Sequence, residues 1–279
     1  MQASFVKVLL TLALGLALSR SAQEIVFFDD FSGSEIDRSK WGVIVTGRTV
    51  NNEQQAYVDS PKTIYTVRDA AGASNGALAL HARSQPGFTS PEGRSYDFIS
   101  GRLEGRGKAE FTYGTVSARI KMAPAPGLWP AFWTLGTARW PETGEMDVME
   151  NVGDPTWTNV ALHGPGYSGG TPLVKRRPFT AGADVSGWHV YSMDWSRDLF
   201  VFKVDDQEFY RVTRAEVEKY GRWAYDTPKF LIVNLAVGGA YPQAVNKVTS
   251  PYPGLPQETV DLIKADRAIT LVDWVKVTR

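Results

Sequence analysis

The sequence predicts an all-β fold: a sandwich of two antiparallel sheets, one with a concave face. Three observations carry that prediction. Runs that alternate apolar and polar residues with period two recur along the chain. Gly and Pro clusters punctuate them at short intervals. Helical periodicity is scarce. Many short strands with little helix close into a sandwich or a barrel.

The elements follow in order. At the N-terminus, Lys7 precedes an apolar run from Val8 to Leu18, followed by small residues at Ser19, Ser21 and Ala22. That pattern is a secretory signal segment, too short to span a bilayer comfortably. Residues 1–22 are therefore set apart, and 23–279 are expected to form one catalytic domain. Ala77-Leu-Ala-Leu80, Val116-Ser-Ala-Arg-Ile-Lys-Met122, Phe200-Val-Phe-Lys-Val204 and Leu271-Val-Asp-Trp-Val-Lys-Val277 alternate as half-buried strands do. Phe230-Leu-Ile-Val-Asn-Leu-Ala-Val237 is nearly all apolar, which suits a strand covered on both faces. Thr213-Arg-Ala-Glu216 is a capping box and predicts a helix over 214–220 that stops at Gly221. A second short turn of helix is expected near Gln257 to Ala265.

Composition narrows the function classes. The chain has 279 residues, 43% of them apolar, and 30 basic residues balance 30 acidic ones. Nucleic-acid binding normally shows as a basic surplus, and none is present. There is no cysteine. Stability must come from the core, and thiol catalysis and thiolate metal sites are excluded. The three histidines, His81, His163 and His189, are too far apart for a zinc-ligand spacing.

The chemistry concentrates in Gly144-Glu-Met-Asp-Val-Met-Glu150-Asn151. On a strand, Glu145 and Asp147 share one face, while Met146 and Val148 point to the other. Strict alternation would send Glu150 into the core with Val148. A β-bulge near Val148–Met149 returns it to the face of Glu145 and Asp147. Glu145 and Glu150 are then four strand steps apart, about 13 Å between Cα atoms, and their side chains must lean together. Retaining glycosidases need two carboxyls roughly 5–5.5 Å apart. Crowding forces at least one pKa up, so one glutamate can attack as an anion while the other donates its proton. The acids alone suit a solvated strand edge or a calcium site about as well. The interleaved apolar residues count against the edge, and calcium usually draws its acids from a loop.

Glu145-x-Asp147-x-x-Glu150 resembles the signature of glycoside hydrolase family 16, in the bulged form of its endo-β-1,3-glucanases (laminarinases). Phe111-Thr-Tyr-Gly114, Gly127-Leu-Trp-Pro-Ala-Phe-Trp-Thr-Leu-Gly136, Leu162-His-Gly-Pro-Gly-Tyr-Ser168, Tyr191-Ser-Met-Asp-Trp195 and Asn234-Leu-Ala-Val-Gly-Gly239 resemble the same group. The likeness runs in order through residues 25–279. It implies a β-jelly roll and a retaining mechanism. By that resemblance Glu145 is the nucleophile, Glu150 the acid/base and Asp147 the assisting acid.

The surround is read the same way. Trp129, Trp133 and Trp140 precede the catalytic strand, and indole planes suit the C–H faces of sugars. For a lone tryptophan, core packing is the commoner role. The resemblance places tryptophans matching these, and His163, in the cleft. Asn52 and Glu53, in Asn51-Asn-Glu-Gln54, resemble a substrate-binding loop. Arg102 matches a cleft arginine, with a surface salt bridge as its plainer reading. One departure is clear: Gly239-Ala-Tyr241-Pro-Gln stands where the family usually continues Trp-Pro-Gly. The resemblance also implies a structural calcium away from the cleft, largely on backbone oxygens, at Asp30, Gly76 and Asp273. No cofactor is expected for catalysis.

The expected function is thus secreted, extracellular or periplasmic, endo-acting hydrolysis of β-1,3-glucan, extending to mixed β-1,3/1,4-glucan, by a monomer with no membrane partner once its signal is removed. The alternatives are a hydrolase of agar or carrageenan, a transglycosylase, and a non-catalytic β-glucan-binding module. The last typically lacks the glutamates retained here.

Overall fold

A computed structural model of the protein describes residues 23–180 and 182–279. The expected signal segment, 1–22, lies outside them. In chain order the first strands are β1 (Ile25–Asp29), β2 (Gly42–Val43), β3 (Gln55–Tyr57), β4 (Ile64–Val67), β5 (Ala77–His81), β6 (Arg83–Thr89), β7 (Ser95–Ser100), β8 (Arg102–Glu104) and β9 (Glu110–Phe111). There follow β10 (Gly114–Met122), β11 (Leu128–Leu135), β12 (Glu145–Glu150), β13 (Trp157–His163), β14 (Val174–Pro178), β15 (His189–Trp195), β16 (Leu199–Val204) and β17 (Gln207–Thr213). The chain ends with α1 (Arg214–Val217), β18 (Lys229–Val237), α2 (Ala240–Asn246), α3 (Gln257–Lys264) and β19 (Ile269–Thr278).

Two large antiparallel sheets form the sandwich. One runs β17-β16-β15-β10-β19-β5-β4, with β1 added on β19. The other runs β14-β13-β12-β11-β18-β8-β2, with β9 on β18. A small third sheet, β3-β7-β6, pairs β3 and β7 in parallel. The two large sheets bury their inner faces against each other. Val116, Ile120, Met193, Phe200, Phe202 and Val275 come from one, and Phe132, Met146, Val148, Leu162, Leu231 and Val233 from the other. Each such side chain contributes roughly 1.5–3 kcal/mol of burial, enough in sum to dispense with disulfides.

Every strand run read from the sequence is present. β18 is buried at all nine positions. Its inward residues fill the core, and Phe230 on the other face lies under the Arg106 guanidinium, 4.3 Å from the ring centroid. The capping box at Thr213 forms as expected, with both reciprocal hydrogen bonds. The helix it starts is shorter than 214–220. It ends at Val217 and tightens into a turn through Tyr220 N to Val217 O. α3 matches expectation, whereas α2 was not foreseen. Its Ala-Tyr-Pro-Gln-Ala-Val-Asn carries no apolar period. Pro242 is tolerated there because the first helical turn leaves N–H groups unpaired anyway.

Candidate active site

β11, β12 and β18 are central in the second sheet, and their outward residues floor an open groove of about 430 Å³. β11 contributes Trp129, Ala131, Trp133 and Leu135, a strict period of two. β18 contributes Asn234 and Ala236. β12 contributes Glu145, Asp147 and Glu150, all three lining the groove. A bulge makes this possible. Against β11, Phe132 pairs Met149 and Trp133 pairs Asp147, so Val148 is the extra residue. Val148 and Met149 both enter the core, which lets Glu150 return to the groove face.

The carboxylates differ in their partners. Glu150 accepts from Trp129 Nε1 at 3.0 Å and from Asn159 Nδ2 at 3.2 Å. His163 on β13 brings Nε2 to 3.2 Å from Asp147 Oδ2 and 3.8 Å from Glu145 Oε1. Its angle to Asp147 is poor, for Asp147 Oδ2 and His163 Nδ1 are both buried without a hydrogen-bond partner. Burial first, and then the charge of Asp147, lift Glu145 to about 8 against the opposing pull of His163. Asp147 is held well above the usual range by burial and by Glu150. Burial raises Glu150 as well, against the pull of Trp129, His163 and Asn159. The three acids therefore resist ionising together and titrate as one coupled group. A groove with one acid able to donate and another able to ionise can break a glycosidic bond.

The comparisons with known proteins agree with this chemistry. The profile of Glycosyl hydrolases family 16 matches residues 48–253. The chain belongs to glycosyl hydrolases family 16. A beta-glucanase of Rhodothermus marinus is 34% identical over 238 residues, which are 78% of this chain and 77% of that protein. The structure of an endo-beta-1,3-glucanase from Pyrococcus furiosus superposes with a TM-score of 0.78 at 32% identity, covering 92% of this chain and 94% of that one. The laminarinase catalytic domain of Thermotoga maritima gives 0.77 at 29% identity, covering 93% and 99%. The sandwich is thus the family's jelly roll, and the protein is a glycosidase.

The remaining residues read from the sequence fall as follows. Trp133 Nε1 donates to Asn234 Oδ1 at 2.7 Å, and Asn234 Nδ2 donates to the Tyr57 hydroxyl at 3.1 Å. Trp140 stands at the rim, 45% exposed. Arg102 lies over the Trp133 ring at 5.0 Å while its guanidinium pairs with Glu104 at 2.6 Å. Both of its readings therefore apply. Glu53 lines the groove, and burial lifts it to about 6 although Gln55 Nε2 donates to it. Asn52 does not line this groove. It faces a neighbouring polar cavity with Arg94, Asp97 and Tyr252, and Asn51 takes the groove side. Two consecutive left-handed residues, Asn51 and Asn52 (φ 54° and 56°), make that turn.

Sequence reasoning missed Tyr57, Asn159 and Asn234. The last two left a signal: each is a lone amide inside an apolar strand, and burial demands a partner for it. Tyr241, in the family's Trp position, meets Trp129 edge-on with centroids 5.3 Å apart.

The positions expected to hold calcium meet in the other sheet. Ser74 N and Oγ donate to Asp273 Oδ1 and Oδ2 at 2.8 and 3.0 Å, and Asn75 Nδ2 donates to Asp30 Oδ2 at 2.9 Å. Gly76 follows directly, at φ 146°. Asp273 is the extra residue of a bulge against β10, and its carboxylate is fully buried. Arg119 also pairs with it at 2.5 Å. Near Gly76 the main-chain oxygens of Phe31 and Val67 lie 3.1 and 3.4 Å from where a Cβ would sit, and oxygens of this kind suit a hard cation. Because Ser74 and Arg119 already engage the carboxylate, such an ion would lean mainly on backbone carbonyls.

Proposed function

We propose that this protein is an endo-acting, retaining hydrolase of β-1,3-glucan that also accepts mixed β-1,3/1,4-linked chains. The observation that carries the reading is the bulge at Val148, which sets Glu145, Asp147 and Glu150 side by side on the floor of an aromatic groove. The groove is open rather than enclosed, as internal cleavage of a polymer requires. Glucanases and a laminarinase among the similar proteins point to the same substrate.

In this reading Glu150 donates its proton to the glycosidic oxygen while Glu145 attacks the anomeric carbon. The leaving chain departs, and a covalent glycosyl-enzyme remains. Glu150, now an anion, takes a proton from water, and that water displaces Glu145. Trp129 and Asn159 stabilise Glu150 in its charged phase. Asp147, buried between the two, trades protons with its neighbours as the charges change. Glu145 must lose its proton before it attacks, and His163 nearby favours that loss.

One observation favours the opposite assignment. Glu150 holds two donors, which suit an anion, whereas Glu145 is pushed to about 8, which suits an acid. Azide separates the two. A variant lacking the nucleophile gives a glycosyl azide of inverted configuration, and one lacking the acid/base gives a retained azide. An inverted product from Glu145→Ala and a retained one from Glu150→Ala would support the assignment above; the reverse would exchange the roles.

Substrate class is tested by reducing-end release from laminarin, lichenan, barley β-glucan, agarose and carrageenan, with Glu145→Gln alongside. Cleavage of laminarin by the native enzyme alone is expected. Cleavage of agarose or carrageenan instead would keep the chemistry and overturn the substrate. Export is proposed from the leader-like residues 1–22, and N-terminal sequencing of the mature protein would check it. A monomer and a structural calcium complete the proposal.

A further inference from the structure

Pairing in the second sheet aligns one row of residues across the groove floor. Arg102 pairs with Asn234, Asn234 with Ala131, Ala131 with Glu150, Glu150 with Asn159, and Asn159 with Arg176. Residues directly opposite on neighbouring strands share a face. Arg176 therefore lies on the substrate face of edge strand β14, two strands beyond Glu150, or roughly 10 Å away. An arginine thus ends the row on each side.

The two arginines differ. Arg102 is engaged by Glu104 at 2.6 Å, a carboxylate it shares with Arg106 at 3.4 Å, and it also acts on Glu53. Arg176 is exposed and has no carboxylate within 4 Å among the described residues; nor do its neighbours Lys175 and Arg177. Asp154, the acid whose field it feels, is occupied by Thr156 N and Oγ1. The Arg176 guanidinium is nonetheless held in place. It lies flat over Trp157, 3.8 Å from the ring centroid, and faces the Tyr241 hydroxyl. A stacked, unpaired guanidinium offers a fixed fork of donors, the geometry that matches a carboxylate or a sulfate. Lys175 and Arg177 add positive potential around it.

We propose that Arg176 is a specificity-determining residue that binds an anionic substituent, a carboxylate or a sulfate ester, on the sugars lying beyond Glu150. This rests on the glucan-hydrolase reading and deepens it. The enzyme would then work on β-glucan chains that carry acidic groups, engaging them at one end of the groove only. At the other end the Arg102 fork is already occupied by Glu104, which leaves that end to uncharged sugar.

The test compares the native enzyme with Arg176→Gln and Arg176→Lys on laminarin, carboxymethylated β-1,3-glucan and sulfated laminarin. Arg176→Gln should leave kcat/KM on laminarin within about twofold. It should lower kcat/KM about tenfold on whichever charged polymer supplies the ligand, the loss of one charge-assisted pair. Arg176→Lys should restore part of it, keeping charge without the fork. The native preference should shrink in high salt. Equal losses on neutral and charged polymers, or no loss on either charged polymer, would overturn the proposal. Affinity electrophoresis in gels containing each polymer, with Glu145→Gln as background, reads binding apart from cleavage. If the native enzyme cuts no glucan yet Arg176→Gln abolishes retardation by a charged one, the hydrolase reading fails and the anion site stands. If retardation is unchanged, the site fails.

Discussion

Glu145 sits where a carboxylate is costly to charge, with Asp147 beside it and little water around it, and that cost has a sign in pH. Its folded value is raised to about 8, against about 4.3 for an unfolded glutamate. Below that unfolded value both states are protonated and the native state loses nothing. As pH rises toward 8 the unfolded chain ionises first, and stability falls. Glu145→Gln removes this liability. Its melting temperature should match the native protein near pH 4 and exceed it by a few °C near pH 8, while activity is lost. A melting gap independent of pH would show that Glu145 is not the strained acid. Trp129 makes the complementary case. Its indole N–H favours the Glu150 anion, so Trp129→Phe should raise Glu150 further. If Glu150 is the acid, the alkaline limb of kcat/KM should move to higher pH, and an unmoved limb would separate Trp129 from proton transfer.

At the scale of the element, the bulge in β12 decides whether there is a site at all. With six residues from Glu145 to Glu150, plain alternation would bury Glu150, and the surplus residue at Val148 restores the parity. Deleting Val148 leaves Glu145-Met-Asp-Met-Glu, which alternates without a bulge, so all three acids should stay on the groove face and part of the activity should survive. Val148→Ala keeps the residue count and should retain most activity, while a lost pair of methyls costs roughly 1–3 kcal/mol. Complete loss in the deletion variant beside an active Val148→Ala would mean that the geometry of the bulge, not parity, sets the site. This device was legible in the sequence because three acids, three apolar residues and one parity conflict leave a single economical solution. The long strands were legible for a similar reason, since period two is explicit in Val116–Met122. α2 was not, because its seven residues are shaped by docking Tyr241 and Val245 on Trp129 and Trp157, a tertiary contact no local pattern encodes. Asn159 and Arg176 were missed likewise. Their meaning comes from register with Glu150 on neighbouring strands, and register is set by the whole sheet.

At the scale of the molecule, one joint in the sheet opposite the groove ties together distant parts of the chain. Asp273 on β19 is bound by Ser74, 199 residues away, and by Arg119 on β10, while Asn75 holds Asp30 just after β1. An ion seated there exists only when all three segments are folded, so it stabilises the native state alone. Linkage sets the scale: at 100-fold excess over Kd, a bound cation adds about 2.7 kcal/mol. For a domain of this size each kcal/mol shifts the melting temperature by roughly 2–4 °C, so saturating calcium should raise it by about 5–10 °C over the chelated protein. Arg119 already balances the Asp273 charge, which argues for a modest affinity and a shift that grows with calcium through the millimolar range. Calorimetry after EDTA and gel filtration, then with calcium restored, measures this directly. Magnesium, which demands a tighter octahedral shell, should restore less. A melting curve indifferent to EDTA and to added calcium would show that Arg119 alone supplies the positive charge at this joint.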